Sequence, residues 1–141
     1  MKVSKDFELR EFVDPVTYQI RGDRSIELID NRLIKLTQFF RDYFGVPTTV
    51  NNWHLCGHYN ESGLRTWLTK TGAKYSQHKY GRAGDLKLEG LDPEEVRQEM
   101  RRNWPKFKAA GLTTIEKDTP TWNHISVQFT GLETLYEVPY K

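Results

Sequence analysis

The sequence has little cysteine and no long apolar run. Cys56 is the only cysteine among 141 residues, so no intrachain disulfide can form and nothing requires an oxidising compartment. No apolar stretch is long enough to cross a bilayer, and residues 1–6 lack the apolar segment of a secretory signal peptide. We therefore expect a chain that is made in the cytoplasm, folds by packing alone and does not insert into membranes.

The sequence also lacks a strong excess of either charge. Twenty-one basic and 19 acidic residues give a net charge of +2, which by itself does not indicate a polyanionic partner. Hydrophobic residues make up 37% of the chain and aromatic residues 13%, which argues against disorder. The length predicts one domain over residues 1–141. We also expect a monomer in which residues 1–8 and 131–141 are less ordered.

Two helices have clear start signals. Asp30 is a candidate N-cap ahead of apolar residues at helical spacing, and Gly45 ends the pattern. Asp92 and Pro93 open a second helix with acids in its first turn. A short third helix follows Pro105 and closes at Gly111.

Four segments are predicted to be strands: residues 48–53, 82–88, 112–116 and 122–129. In the second, Leu86 and Leu88 alternate with Asp85. In the fourth, Ile125, Val127 and Phe129 alternate with His124. Asp85 and His124 therefore face away from the apolar sides, and two neighbouring antiparallel strands would place both on the same open face of a sheet. Residues 55–74 are predicted to form a long irregular loop.

His78, Asp85 and His124 are candidate metal ligands. Two imidazoles and a carboxylate leave one position of a tetrahedral metal open, as in hydrolytic zinc sites. His78 can reach the same point because Gly81 allows the chain to turn before the second strand. The spacing alone is a weak pattern, and its alternative is a hydrogen-bonded loop histidine with two surface polar residues.

The wider motif resembles a known family. Ser76-x-His78-x-x-Gly81-x-Ala83-x-Asp85 with Trp122-x-His124 is similar to the signature of the zinc peptidases of family M15, which include D-alanyl-D-alanine carboxypeptidases and phage L-alanyl-D-glutamate endolysins. The resemblance extends from about Leu9 to Phe129 and is greatest to compact phage-type members. It implies an α+β fold of the hedgehog/DD-peptidase type, in which helices flank a small antiparallel sheet.

The resemblance also implies a chemistry. His78, Asp85 and His124 would bind one Zn²⁺ per chain, and a metal-activated water would hydrolyse peptide bonds of peptidoglycan. Many members carry the proton-accepting acid three residues before the last histidine, where this chain has Thr121. Glu116, at the end of the third strand, is the preferred replacement because a strand holds it rigidly, and Asp118 is the alternative.

Other residues are expected to contact the substrate. Arg65 matches a family arginine near the substrate carbonyl, where a cation stabilises developing negative charge. An alternative for Arg65 is a surface salt bridge. The side chains expected to bind the substrate are Ser76, Gln77, Trp122, His54 and His58. Cys56, between the last two, is expected to be a small packed side chain rather than a nucleophile or a metal ligand.

Two further functions stay open from the sequence. A catalytically inactive zinc-containing module could bind the cell wall or a protein, since Thr121 replaces the usual acid. Less favoured is a nucleic-acid-binding domain, which would use the basic residues Arg97, Arg101, Arg102, Lys106 and Lys108. Because Val96, Met100 and Trp104 form the apolar stripe there, we interpret these basic residues as a solvated face. For a peptidase without a signal peptide, the wall would be reached after holin release, lysis or virion delivery.

Overall fold

The computed structural model describes all residues, Met1–Lys141. The chain forms four α-helices and five short strands. The helices are α1 (Pro15–Arg21), α2 (Asn31–Phe44), α3 (Pro93–Arg102) and α4 (Trp104–Ala109). The strands are β1 (Thr48–Thr49), β2 (Ala83–Leu88), β3 (Thr114–Glu116), β4 (Asn123–Ser126) and β5 (Tyr136–Val138). Short 3₁₀ turns lie at Leu9–Glu11, Gly22–Leu28, Trp53–Leu55 and Gln77–Tyr80.

The helix boundaries follow the capping signals in the sequence. The Asp30 side chain accepts a hydrogen bond from the Arg32 backbone N–H at the start of α2, and Gly45 ends that helix in the left-handed conformation. Asp92 caps α3 in the same way through the Glu94 backbone N–H, with Pro93 in the first position. The predicted starts of both helices are therefore confirmed.

The strands form one mixed sheet in the order β1-β2-β4-β3-β5. The pairs β1/β2, β2/β4 and β3/β4 are antiparallel, whereas β5 lies parallel to β3. The chain is thus a single α+β domain, but the prediction of a purely antiparallel sheet is wrong at this edge. After β4 the chain reverses, passes β3 and adds β5 at the outer side of β3. β5 has only three residues, Tyr136–Val138, which is too short for an alternating pattern to indicate a strand.

Two strand predictions were too long. The segment predicted over residues 48–53 contains only β1 before a turn, and the 3₁₀ turn Trp53–Leu55 follows. β4 ends at Ser126, so the pattern that placed Phe129 on the apolar side does not apply. The Phe129 side chain is 89% exposed.

The core lies on one face of β2 and β4. Leu86 and Leu88 of β2 and Ile125 of β4 belong to one buried cluster with α2 side chains such as Leu33 and Phe40. Phe107 of α4 extends this cluster, with its ring centroid 5.3 Å from that of Phe40. Because neighbouring side chains on a strand point to opposite faces, the residues between these apolar positions face the other side of the sheet.

Candidate metal centre and cavity

Asp85 and His124 lie opposite each other on paired strands. The antiparallel register of β2 and β4 pairs Asp85 with His124 directly, as the alternation of the two segments predicted. Side chains at directly opposed positions of one face lie close enough to share a ligand. The sheet itself therefore places two of the three predicted metal ligands side by side.

His78 reaches this pair from the 3₁₀ turn Gln77–Tyr80. The Ser76 hydroxyl accepts a hydrogen bond from the His78 backbone N–H, and Gly81 ends the turn with φ +68°. A Cβ at Gly81 would lie 2.0 Å from the Leu28 carbonyl oxygen, so only glycine fits this close approach. The turn fixes His78 directly before β2 begins.

The donor atoms of His78, Asp85 and His124 all lie within 4.8 Å of one another. His78 Nε2 is 3.3 Å from Asp85 Oδ1, and His124 Nδ1 is 3.0 Å from the same oxygen. Ligands about 2.0–2.1 Å from a tetrahedral zinc ion are separated by about 3.3 Å. The three residues form a group that could hold a metal ion, and their spacing fits this geometry.

The hydrogen bond of His78 adds a chemical argument for a cation. His78 Nδ1 lies 2.8 Å from the Gly63 carbonyl oxygen, which can only accept, so Nδ1 carries the hydrogen. A neutral His78 then points the lone pair of Nε2 at Asp85 Oδ1. Full burial lowers the pKa of His78, an effect that the Asp85 carboxylate only partly opposes, which disfavours the imidazolium. A cation bound by both atoms would satisfy two acceptors that face each other in this way.

Arg65 holds the second oxygen of the Asp85 carboxylate. Its Nη2 donates to Asp85 Oδ2 over 3.2 Å, and its Nε donates to the Glu61 carbonyl oxygen over 2.8 Å. The Arg65 backbone N–H donates to the His78 carbonyl oxygen. Burial raises the pKa of Asp85, but the two histidines more than reverse this, and the pKa lies far below its usual range. Asp85 is therefore a fixed carboxylate with Oδ1 turned toward the two imidazoles.

Lys87, two residues after Asp85, ties the surrounding loops to β2. Its Nζ donates to the Val50 carbonyl oxygen, the Ser62 hydroxyl and the Asp85 carbonyl oxygen. Nζ also lies 4.0 Å from the centre of the Tyr59 ring. Burial lowers the pKa of Lys87 to about 8. Sequence reasoning missed this residue, although its place on the Asp85 side of the strand alternation was a usable signal.

Glu116 lies beside the candidate metal ligands and Asp118 does not. Glu116 Oε1 is 3.2 Å from His124 Nδ1, and burial raises the pKa of Glu116 while His124 lowers it in part. The Asp118 carboxylate instead accepts the Tyr140 backbone N–H over 2.9 Å. Of the two acids considered as proton acceptors, the structure brings only Glu116 into the site.

A cavity of about 950 Å³ opens over the three candidate metal ligands, with 24 lining residues of which five are hydrophobic. Four of the predicted substrate contacts line it: Ser76, Gln77, Trp122 and His58. Arg65, Thr121 and Glu116 are also in its wall. Residues 138–141 form part of the rim, where the Tyr140 ring meets the Trp122 ring edge-on at 5.1 Å. The sequence did not point to this rim, because its residues carry no chemical motif.

His54 and Cys56 lie outside the cavity wall. The His54 ring packs edge-on against Trp53 at 5.6 Å, so the prediction that it contacts substrate is not supported by its position. Cys56 is exposed and has φ +66°, which corrects the expectation of a packed side chain. His54, Cys56 and His58 do not converge on one point, and the only group with metal-ligand geometry is His78, Asp85 and His124.

The basic side chains of α3 and α4 are mostly paired with acids. Arg97 pairs with Glu94 and is only 4% exposed, so it is not part of a solvated face as predicted. Arg101 pairs with Glu94 and Glu137, Arg102 with Glu99, and Lys108 with Glu133. These ion pairs neutralise most of the charge that a polyanion would need on this surface.

Comparisons with known proteins do not assign this chain to a family. No protein-family model, curated protein or solved structure matches this chain. No helix combines the length and the apolar character needed to cross a membrane.

Proposed function

We propose that this protein is a zinc-dependent peptidase that hydrolyses peptide bonds in peptidoglycan stem peptides or cross-links. The observation that carries the proposal is the convergence of His78 Nε2 and His124 Nδ1 on Asp85 Oδ1 at 3.3 and 3.0 Å. One carboxylate and two imidazoles are the donors of a hydrolytic zinc site with a free coordination position. The peptide substrate is inferred from the motif that surrounds these ligands.

A zinc ion held by His78, Asp85 and His124 would polarise the scissile carbonyl and lower the pKa of a bound water. Glu116 is the group that would accept the proton of the attacking water and return it to the leaving amine. Its Oε1 lies in the cavity wall, 3.2 Å from His124 Nδ1. At this distance from a candidate metal ligand, the carboxylate could reach a water bound to the metal. Arg65 holds the Asp85 carboxylate in its orientation through the hydrogen bond to Oδ2.

The cavity supports a peptide rather than an apolar cofactor. Only five of its 24 lining residues are hydrophobic, whereas small-molecule and cofactor pockets are lined mainly by apolar side chains. Its wall offers amide, hydroxyl and guanidinium donors and carboxylate acceptors, as Gln77, Ser76, Arg65 and Glu61 illustrate. Peptide N–H and C=O groups need partners of both kinds when they leave water.

A catalytically inactive binding module is the second candidate, and Thr121 favours it. Thr121 lines the cavity. It occupies the sequence position, three residues before His124, at which many members of the resembled family have an acid. The presence of Glu116 in the same cavity favours the enzyme instead. The two candidates differ only in turnover, since both would bind zinc and peptide.

The deciding experiment measures hydrolysis directly. Zinc-loaded protein is incubated with purified peptidoglycan and with synthetic stem peptides, and the released fragments are identified by mass spectrometry. We expect fragments from the wild type that a chelator abolishes and zinc restores, and none from His124→Ala. Zinc binding without any fragment release would contradict the enzyme and support the binding module. Absence of zinc binding would contradict both.

A further inference from the structure

Residues 65–82, which lead from the loop into β2, expose several large apolar side chains. Leu68 is 93% exposed, and Trp67, Tyr75 and Tyr80 are 54%, 66% and 40% exposed. Single exposed apolar residues are ordinary, but three rings and a leucine on one short segment mark a contact surface. We call these four side chains, together with the cations described next, the ring–cation surface.

The same segment has uncompensated positive charge. No acidic residue occurs between Glu61 and Asp85, whereas five basic residues do. Arg65 is paired with Asp85, but Lys70, Lys74, Lys79 and Arg82 take part in no ion pair. On α3 and α4, by contrast, most basic side chains have acidic partners. Unpaired positive charge without intervening acids makes this segment a surface that attracts anions.

Each ring has a cation beside it. Lys79 Nζ lies 5.4 Å from the Trp67 ring, and the Arg82 guanidinium lies 4.8 Å from the Tyr80 ring. The Trp67 and Tyr80 rings meet edge-on at 5.2 Å. These contacts hold the two rings in one arrangement instead of leaving them free to rotate. A ligand that combines flat ring faces with carboxylates would match this surface.

The ring–cation surface is continuous with the cavity. Gly72, Ala73, Ser76 and Gln77 belong to the same segment and line the cavity, and His78 is a metal ligand. A polymer whose peptide branch enters the cavity would therefore extend across the exposed rings and lysines. Short peptides would not reach them.

We propose that the ring–cation surface binds the peptidoglycan polymer outside the scissile peptide, an inference that rests on the proposed peptidase function. Sugar rings would pack against Trp67 and Tyr75, and the free carboxylates of neighbouring stem peptides would lie near Lys70, Lys74 and Lys79. A lipid bilayer fits less well because an interfacial anchor needs a broad apolar face, and Leu68 is the one large aliphatic side chain exposed here. Nucleic acid fits less well because it has no peptide branch to enter the adjoining cavity, whose wall includes Glu61 and Glu116.

The experiment compares two triple variants with equal loss of charge. Lys70→Gln/Lys74→Gln/Lys79→Gln removes the loop cations, and Lys35→Gln/Lys106→Gln/Lys117→Gln removes three exposed lysines elsewhere. Binding of zinc-loaded protein to insoluble peptidoglycan is measured by sedimentation at several salt concentrations, and hydrolysis is measured on a short soluble stem peptide. Circular dichroism verifies the fold of each variant.

We expect the loop triple to bind the polymer about tenfold more weakly and with less salt dependence. We expect it to cleave the short peptide within about twofold of the wild-type rate, since none of the three lysines lines the cavity in which the scissile peptide would bind. Trp67→Ala should weaken polymer binding without changing the salt dependence. The control triple should bind almost as well as the wild type.

Equal losses in the two triples, or unchanged binding of the loop triple, would overturn the inference. Tighter loop-dependent binding to anionic phospholipid vesicles or to DNA than to peptidoglycan would also overturn it. If the wild type cleaves no peptide but its sedimentation still depends on the loop lysines, the peptidase proposal fails and the binding surface stands.

Discussion

The guanidinium of Arg65 donates to Asp85 Oδ2 over 3.2 Å, and both side chains are almost fully covered. This pairing leaves Asp85 Oδ1 alone to face His78 and His124. Arg65, for which the family resemblance suggested a place near the substrate carbonyl and for which a salt bridge was the alternative, therefore lies behind a candidate metal ligand and holds its orientation. Partners of this kind tune metal affinity as well as activity.

Arg65→Gln is expected to weaken zinc binding by about 10- to 100-fold, because Asp85 loses its charged partner and a fixed orientation. Competition with a chromophoric chelator measures the change. Arg24→Gln, at an exposed arginine without an ion pair, is the matched control and should leave zinc affinity unchanged. A normal zinc affinity with a reduced turnover number would instead place the role of Arg65 on the substrate.

Glu116→Gln is expected to lower the turnover number by about 10²- to 10⁴-fold, which is the usual contribution of a general base. Zinc content should stay at one ion per chain, since Glu116 is not among the three converging ligands. Stem-peptide hydrolysis and metal analysis on the same sample test both points.

Asp118→Asn is the natural comparison, because its carboxylate binds the Tyr140 backbone N–H rather than facing the metal ligands. We expect this variant to retain the chemical step and to change mainly the Michaelis constant, through a looser cavity rim. A large loss of turnover in Asp118→Asn with normal turnover in Glu116→Gln would reverse the assignment.

Removal of the metal is expected to lower thermal stability. A ligand present at 100 times its dissociation constant stabilises the native state by about 2.7 kcal/mol, which for a chain of this size raises the melting temperature by roughly 8 °C. Differential scanning fluorimetry with chelator and with added zinc measures the shift. His124→Ala should show no response to zinc, and a zinc response in that variant would mean that the ion binds elsewhere.

Gly63→Ala is expected to destabilise the fold by more than about 2 kcal/mol. The added Cβ would lie 2.4 Å from the Phe12 carbonyl oxygen, and backbone cannot move away cheaply. The Gly63 carbonyl also accepts the His78 Nδ1–H, so zinc affinity should fall as well. Urea unfolding and zinc titration measure the two effects.

Gly84→Ala provides the contrast for that substitution. Gly84 is adjacent to Asp85 in β2, but a Cβ there would make only ordinary contacts of 3.7 Å and longer. Stability should change by less than about 1 kcal/mol. If both alanine variants unfold at the same urea concentration, the close approach at Gly63 does not constrain the fold.

The parts of the fold that local signals specify were predictable. The Asp30 and Asp92 caps fixed the starts of α2 and α3, and alternation assigned the faces of β2 and β4. The parallel strand β5 was not predictable, because its position depends on pairing with β3 rather than on its own sequence. Phe129 shows the same limit, since where β4 ends decides which way that ring points.

In the candidate site, too, the accuracy of a prediction depended on whether the residue lies in regular secondary structure. Residues on regular strands were placed correctly, as Asp85 and His124 show. Residues in loops were placed less evenly, because a loop side chain can turn several ways and only tertiary contacts choose among them. Ser76, Gln77 and His78 reach the cavity, whereas His54 lies outside it.

The pairing of β2 with β4 also determines when the candidate metal site could form during folding. Asp85 and His124 are 39 residues apart in sequence. They meet only when β2 pairs with β4, which closes a loop that contains α3, α4 and β3. Closing such a long loop is slow relative to forming helices, so the unfolded chain cannot gather the three donors in advance. Zinc should therefore slow unfolding far more than it accelerates folding, and the apo chain should reach the same sheet without it.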